Sequence, residues 1–500
     1  MSAKMKGKKK LTLIPLVLMV FTSVFGFNNI SKAFYKMGYA AIPWYILSGL
    51  AFFIPYAFII AEYGAAFKDE KGGIYSWMEK SVGAKFAFVG TFMWYASYVI
   101  WMVSVATEIW IPLSNLIFGK DITGKISILG LTGTQILGIL AILFVLIVTF
   151  VASKGLDKIS KVTSIGGTAV ALLNVVLLVG AVLVLILHGG KLAEPITSIK
   201  TFIYSPNTSN NSLMNLLSFL VFAVFAYGGI EAVGGLVDET EKPETTFPKG
   251  MIVSAIFIAI GYSVGIFLCG TFLNWKVLGD DSSVNLANIT YIIMQNLGYS
   301  IGSSLGVGQA ASITLGQIFA RIVGLSMFLS YLGAYFTLIY TPLKQLIEGT
   351  PNKLWPEVIG KVDEDGVPKN AMWIQGIIVC AFIAIISFGG SGVSQFFSYI
   401  VLMTNVAMTI PYMFIAIAFI GFKKKKEIKK PFEIFKTYKS GATAAVIVAI
   451  VVFFANVFTI IEPVLGDKPD VKSTLWMIIG PVFFSVVALI MYGRYEKKIK

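Results

Sequence analysis

The sequence predicts an all-α polytopic membrane protein with about twelve transmembrane helices. Of its 500 residues, 56% are hydrophobic and only 13% are charged. A soluble domain has about 25% charged residues, so this composition excludes an ordinary soluble protein. The apolar residues form blocks of roughly 20, which is the length of helix that crosses a bilayer core. Two blocks are interrupted near their middle, which indicates discontinuous helices.

Each apolar block is one predicted span. In chain order, the blocks are 11–37, 41–67, 86–118, 132–152, 164–187, 213–236, 251–273, 313–340, 371–388, 396–422, 442–461 and 474–492. The first block follows a lysine-rich segment, as the apolar part of a signal peptide does, but it is too long and lacks a cleavage site of small residues. We therefore interpret it as the first span.

The net charge of +14 reflects membrane orientation. Most of the 40 lysine and arginine residues lie in alternate connections, including the amino-terminal segment 4–10 and the run 423–430. Because basic residues accumulate on the cytoplasmic side, both termini are expected in the cytoplasm of a bacterial cell, with the chain in its inner or plasma membrane. This distribution leaves no reason to expect a nucleic-acid partner. Cys269 and Cys380 lie within spans and suggest no disulfide framework.

The first and sixth spans lose their apolar character halfway. The first contains Thr22, Ser23, Val24, Phe25 and Gly26, followed by two asparagines, and the sixth contains Phe225, Ala226, Tyr227, Gly228 and Gly229, with Glu231 close behind. A membrane helix must satisfy its own backbone hydrogen bonds, so an interruption is expected only where it lines a cavity. We predict that both spans are non-helical, at 23–26 and 226–229, and that these residues form a binding site.

The spacing of the two interruptions predicts an inverted repeat, because each lies in the first span of a five-span block. The single transporter domain 1–500 would contain the repeats 1–190 and 191–422, with two additional helices in 440–492. The amino ends of half-helices attract an anionic group, and freed carbonyls accept from an ammonium, so a zwitterion fits both. The alternative is that Gly228 and Gly229 only allow close helix packing.

Three stretches of sequence resemble the amino acid-polyamine-organocation superfamily. They are Glu62 with 71–77 (KGGIYSW), 227–231 (YGGIE) with 239–249 (ETEKPETTFPK), and 341–344 (TPLK) with 354–356 (LWP). Within that superfamily, the chain is most similar to the glutamate/γ-aminobutyrate antiporter branch. The resemblance implies a five-plus-five inverted repeat, two added spans and alternating access around a site at the bilayer midplane.

The resemblance also implies roles for individual residues. Phe225 stands where relatives place an aromatic gate, Glu231 where they place a glutamate, and Tyr335 where a span-eight aromatic closes the site. Trp94, Tyr98 and Trp101 recur at i, i+4 and i+7 on span three, so they line the cavity or pack elsewhere.

This chain departs from its relatives in three features. Only Gly26 remains of the usual Gly-x-Gly in the first break, which weakens recognition of a carboxylate by backbone amides. The fifth span contains no lysine that substitutes for a coupling proton. Ser326 and Ser330 stand apart, whereas sodium-coupled members use adjacent hydroxyls.

We expect a secondary active transporter, either an antiporter or a proton-coupled symporter, of amino acids or related amines. Its partners would be that solute, the lipid bilayer and protons. We expect no cofactor, no metal and no enzymatic activity, because the single histidine, His188, has no catalytic partner and no phosphate-binding loop is present. The alternative is an ion channel or a solute-sensing membrane receptor on the same fold.

Three charged residues within the spans are candidates for coupling or gating. We predict that Glu231 couples solute binding to gating or to a proton, because a carboxylate at the midplane is unfavourable unless it is partnered, hydrated or protonated. Glu108 and Arg321 each lie roughly 35 Å from the inner face at 1.5 Å per residue. We predict that they approach each other or share the outer vestibule wall. The alternative is two independent interfacial charges.

Overall fold

A computed structural model describes residues 10–363, 366–465 and 468–499. The described residues form α-helices and no β-strand. In chain order, the helices are α1 Leu13–Val24, α2 Phe27–Met37, α3 Ala41–Ser48, α4 Ile54–Ala66, α5 Ile74–Val82, α6 Ala84–Glu108, α7 Trp110–Phe118, α8 Gly133–Ala152, α9 Leu156–Leu187, α10 Leu213–Phe225, α11 Pro243–Phe272, α12 Trp275–Gly279, α13 Ile289–Ser304, α14 Gln309–Ile347, α15 Glu357–Gly360, α16 Lys369–Phe388, α17 Gly390–Ala407, α18 Ile410–Lys424, α19 Tyr438–Leu465 and α20 Val471–Ile499. Of the predicted basic segment 4–10, all but Lys10 lies outside the described residues.

The described residues contain 11 helical segments that are long and apolar enough to cross a membrane. The first, Leu13–Ala66, has 54 residues. At 1.5 Å per residue it measures about 80 Å, more than twice the thickness of a bilayer core, so it contains two spans. The prediction of an all-α polytopic membrane protein with about twelve spans is therefore confirmed. The division into two inverted repeats stays a prediction.

Four helices occur where the sequence analysis predicted connections. α5 lies between the second and third spans, α12 and α13 lie between the seventh and eighth, and α15 lies between the eighth and ninth. Single 3₁₀ turns or short 3₁₀ helices occupy Gly38–Ala40, Thr123–Lys125, Ile199–Phe202, Thr208–Asn211, Ile230–Leu236 and Asn352–Leu354, and a π-helical turn occupies Gly49–Phe53.

Close packing of α1, α9 and α14 depends on glycines. A Cβ atom on Gly167 of α9 would lie 2.3 Å from the backbone oxygen of Leu18 on α1, and one on Gly166 would lie 2.6 Å from the backbone oxygen of Leu329 on α14. Small residues allow membrane helices to approach this closely. α1, which is the first half of the first span, is thereby held against the fifth and eighth spans.

We call the face of the helical bundle at which the described chain begins the terminal face. Leu11 pairs there with the connection after the sixth span: its backbone N–H donates to the oxygen of Glu239, and its oxygen accepts from the N–H of Glu241, both at 2.8 Å. The end of α20 lies at the same face, because Tyr492 packs against Phe88 with ring centroids 5.7 Å apart. Both ends of the described chain therefore lie on one side, as the charge pattern predicts.

Candidate functional site

A cavity of about 700 Å³ extends from the middle of the bundle toward the face opposite the terminal face. Both interrupted spans line it, together with residues of α6, α14, α17, α18 and α19. Eleven of the predicted binding residues are among its lining residues: Thr22, Ser23, Val24, Phe25, Gly26, Tyr98, Trp101, Phe225, Ala226, Gly228 and Gly229. The two predicted breaks thus meet at one cavity.

The break in the first span comprises Phe25 and Gly26. α1 ends at Val24, so Ser23 and Val24 belong to its last turn and the non-helical segment is shorter than the predicted 23–26. The hydroxyls of Thr22 and Ser23 both donate to the backbone oxygen of Met19, at 2.9 Å each. α2 then starts at Phe27, and the first N–H groups of a helix have no acceptor within it. The break therefore presents a helix amino end toward the cavity.

The break in the sixth span is a turn at residues 226–229. α10 ends at Phe225, and the chain continues as the 3₁₀ helix Ile230–Leu236. Gly229 has φ +115°, and a Cβ atom there would lie 2.6 Å from the backbone oxygen of Ser23. Only glycine accommodates this backbone conformation and this approach together. Close packing and a backbone break therefore coexist, and Gly229 brings the two breaks into contact.

Glu231 lies behind the second break and not on the cavity wall. It is fully buried, and its Oε1 accepts from the indole Nε1 of Trp94 at 3.0 Å and from the hydroxyl of Tyr98 at 3.2 Å. Its Oε2 is buried without a hydrogen-bond partner among the described residues. Since Tyr98 also lines the cavity, it joins the carboxyl to the space that a solute would occupy.

Charged side chains line the outer part of the cavity. They are Lys32 and Lys36 on α2, Glu108 at the end of α6 and Glu462 on α19. The Glu462 carboxylate accepts from the hydroxyl of Ser218. The deeper wall near the breaks is formed by aromatic, apolar and small residues, so charge is concentrated at the mouth.

The predicted pair of Glu108 and Arg321 is not formed. No ion pair within 4.0 Å joins them in the described part of the chain, and the guanidinium of Arg321 lies beside Gly119 at the end of α7, outside the cavity lining. Glu108 is exposed and lines the mouth, where its predicted depth places it. The two side chains therefore face different surroundings in this structure.

Three predicted lining residues lie away from the cavity. Tyr335 is fully buried and packs edge-on against Phe144, with ring centroids 4.9 Å apart. Tyr227 is buried and donates to the backbone oxygen of Tyr45 at 3.2 Å. Trp94 is buried, donates to Glu231 and packs edge-on against Tyr98, with ring centroids 4.8 Å apart. The aromatic residue of α14 that lines the cavity is Tyr331, four residues before Tyr335.

A buried charge cluster, which we call the Lys344 cluster, lies between the second break and the terminal face. The Nζ of Lys344 donates to the backbone oxygen of Gly235 at 2.9 Å, to Asp238 Oδ1 at 2.8 Å and to Glu239 Oε1 at 2.6 Å. Tyr340 also donates to Glu239 Oε1, at 2.8 Å. The cluster fixes the connection after the sixth span to the eighth span.

A model of the amino acid permease family matches residues 11–486. The chain belongs to the amino acid permease family. This permease is 53% identical to the inner membrane transporter YjeM of Escherichia coli (strain K12) over 491 residues, which cover 98% of this chain and 97% of that protein. It is 25% identical to the aspartate/glutamate permease AcaP of Lactococcus lactis subsp. cremoris (strain MG1363), over 97% of this chain and 94% of the relative.

A further relative is the glutamate/gamma-aminobutyrate antiporter of Lactococcus lactis subsp. lactis (strain IL1403). The permease is 22% identical to it over 91% of this chain and 84% of that antiporter. These similarities confirm the family resemblance predicted from the motifs. The permease is therefore a membrane transporter of amino acids, and its family consists of transporters and not of enzymes.

Several lining residues of the permease were missed by the sequence analysis: Lys32, Lys36, Tyr331, Asn405, Thr409, Tyr412 and Glu462. A third interruption was also missed. α17 ends at Ala407 and α18 begins at Ile410, so the tenth span is non-helical at 408–409, where it lines the cavity. Pro411 in the middle of an apolar block was the available signal, because proline cannot continue a helix hydrogen-bond ladder.

Proposed function

We propose that this permease is a secondary active transporter that carries amino acids or related amines by alternating access. The observation that carries the proposal is that two interrupted spans meet at one cavity. The two interruptions are about 200 residues apart in sequence, since α1 ends at Val24 and α10 ends at Phe225. Interrupted helices in the membrane are tolerated where freed backbone groups serve a ligand or line a water-filled space.

The charges of the broken helix ends favour a zwitterion. α2 begins at the first break, and the amino end of a helix carries partial positive charge that attracts a carboxylate. α1 and α10 both end there, and their last carbonyls carry partial negative charge that attracts an ammonium. A solute with both groups would bridge the two breaks. The names of two relatives, an aspartate/glutamate permease and a glutamate/gamma-aminobutyrate antiporter, support amino acids as the substrate class.

The proposed orientation places the terminal face in the cytoplasm of a bacterium. Basic connections predominate at that face, and basic residues are retained on the cytoplasmic side of inner membranes. The 53% identical relative is named an inner membrane transporter, which supports the same location. In this orientation the cavity opens outward and the Lys344 cluster closes the cytoplasmic side. The structure would then represent an outward-open state of the transport cycle.

Glu231 is the proposed coupling group. It is fully buried, one of its oxygens has no hydrogen-bond partner among the described residues, and Tyr98 connects the other oxygen to the cavity wall. A buried carboxyl with an unused oxygen can take up a proton there without breaking an existing bond. Proton uptake and release at Glu231, linked through Tyr98 to the occupied cavity, would couple solute movement to protons.

Transport by purified protein in liposomes tests the proposal. Radiolabelled amino acids and amines are screened for uptake, with and without internal amino acid and with and without a pH gradient. Uptake that requires internal amino acid indicates antiport, and uptake that requires the pH gradient indicates proton symport. A steady ionic current without any solute would instead support a channel, and saturable binding without uptake would support a receptor.

A further inference from the structure

The hydroxyl of Tyr262, on α11, lies between the two breaks. It accepts from the backbone N–H of Gly26 at 3.0 Å and from the side-chain Nδ2 of Asn29 at 3.3 Å. Its oxygen is also 2.9 Å from the backbone oxygen of Val24 and 3.1 Å from that of Ala226. One side chain from the seventh span thus contacts both interrupted helices.

The groups around this hydroxyl belong to three different helix ends. Val24 is the last residue of α1, Gly26 immediately precedes α2, and Ala226 immediately follows α10. A tyrosine hydroxyl has one proton and can accept two hydrogen bonds. The proton is therefore donated to one of the carbonyls of Val24 and Ala226 at a time, while Gly26 and Asn29 donate to the oxygen. The hydrogen bonds of the Tyr262 hydroxyl therefore link the first span to the sixth span.

The ring of Tyr262 is held in place on several sides. It packs edge-on against Phe25, with centroids 5.0 Å apart, and against Tyr227, with centroids 5.1 Å apart. Tyr45 packs against it at 5.1 Å. A Cβ atom on the adjacent Gly261 would lie 2.6 Å from Phe25, so Phe25 is seated directly on α11. Since Phe25 lines the cavity, this packing connects the ring of Tyr262 to the cavity wall.

We propose that Tyr262 is a positioning residue for the transported solute. Its hydroxyl fixes the separation of the two breaks, so that the amino end of α2 and the carboxyl ends of α1 and α10 meet a zwitterion with the spacing that they have in this structure. Tyr262 does not line the cavity and acts through Gly26, Val24 and Ala226. This inference rests on the transport function proposed above.

Tyr262→Phe and Tyr63→Phe form a matched pair of variants. Each removes one fully buried hydroxyl that donates to a backbone oxygen, but Tyr63, on α4, donates to Ile415 at 3.4 Å, and neither of these two residues lies in a break or lines the cavity. Tyr262→Phe should raise the KM for uptake about tenfold, as loss of one well-placed hydrogen bond does, with a maximal rate within about threefold of wild type. Tyr63→Phe should leave the KM within about twofold. Equal KM values for the two variants would overturn the inference.

Hydrogen–deuterium exchange of the full-length protein in lipid nanodiscs tests the same inference without a substrate. Tyr262→Phe should accelerate exchange of the amides at 26–29 and 226–229 relative to wild type, and Tyr63→Phe should not. Equal exchange in both variants would contradict the inference. If wild type shows no uptake of any screened solute, the proposed function fails, but the exchange result still decides whether Tyr262 fixes the breaks.

Discussion

Replacing Lys344 with methionine should open the terminal face of the cavity. The substitution keeps an unbranched side chain but removes the ammonium that donates to Gly235, Asp238 and Glu239. The side chain of Lys344 is 1% exposed and that of Glu239 is 4% exposed, so the pair is buried. Removing one partner of a buried ion pair costs about 3–5 kcal/mol. Tyr340 still donates to Glu239, which favours the lower end of that range.

This cost applies to the closed state, because opening would expose the carboxylates of Asp238 and Glu239 to water. A difference of about 3 kcal/mol corresponds to a change of about 100-fold in the ratio of closed to open molecules. The variant should therefore populate states in which the terminal face is open much more than wild type does. Outward-facing uptake should fall in parallel, because fewer molecules present the cavity to the outer side.

Labelling of a buried cysteine measures this shift. In a background with Cys269→Ala and Cys380→Ala, Thr341→Cys places the reporter at a fully buried position whose backbone oxygen lies beside Gly235. Maleimide applied to the terminal face should label this cysteine up to about 100-fold faster when Lys344 is also replaced by methionine.

Lys71→Met is the matched control. Lys71 and Lys344 both line a second, smaller cavity of about 130 Å³. Lys71 forms an ion pair with Glu348 at 3.3 Å, but its side chain is 58% exposed. Exposed ion pairs contribute about 0–1 kcal/mol, so labelling should change less than about fivefold. Equal labelling rates in the Lys344→Met and Lys71→Met variants, with both proteins folded, would refute the role of the Lys344 cluster as the closure.

Four further substitutions test the site. Glu231→Gln should abolish the pH dependence of uptake without reducing expression, and unchanged uptake at every pH would reduce Glu231 to a structural hydrogen-bonding residue. Gly229→Ala should destabilise the protein by about 1–3 kcal/mol in a thermal unfolding assay, because of the positive φ and the nearby oxygen of Ser23; an unchanged unfolding temperature would contradict this contact. Glu108→Arg and Arg321→Glu should have additive effects on uptake when combined, because the two side chains form no ion pair; recovery of activity in the double variant would show that they interact in another state.

The sequence contained enough information to locate the breaks but not the residues that stabilise them. Gly228 and Gly229 beside a carboxylate stand out in an apolar block, because poor helix formers and a charge are unfavourable in lipid. Tyr262 has no such signal, since a tyrosine in an apolar span is ordinary. Its role depends on tertiary packing of α11 against both breaks.

Position along a helix is easier to predict from sequence than direction around its axis. Counting residues at 1.5 Å each predicted the outer rim for Glu108, which lines the cavity. The same count gave no information about which neighbour Arg321 faces, and it could not distinguish Tyr331 from Tyr335. α14 is packed on several sides near Tyr335, so its hydrophobic pattern does not reveal which face meets the cavity.

The 3₁₀ segment Ile230–Leu236 connects the candidate site directly to its closure. It begins immediately after Gly229 at the second break and contains Gly235, whose backbone oxygen accepts from Lys344. Seven residues at about 2.0 Å each separate the two ends by roughly 14 Å. All of its residues are buried, and Glu231 is held within it by side chains of α6. A displacement of Gly229 by a bound solute, or a change in the bonds of Glu231, therefore acts on the same short segment that Lys344 holds in place. Solute binding and opening of the terminal face can be coupled through this segment without a longer chain of intermediate contacts.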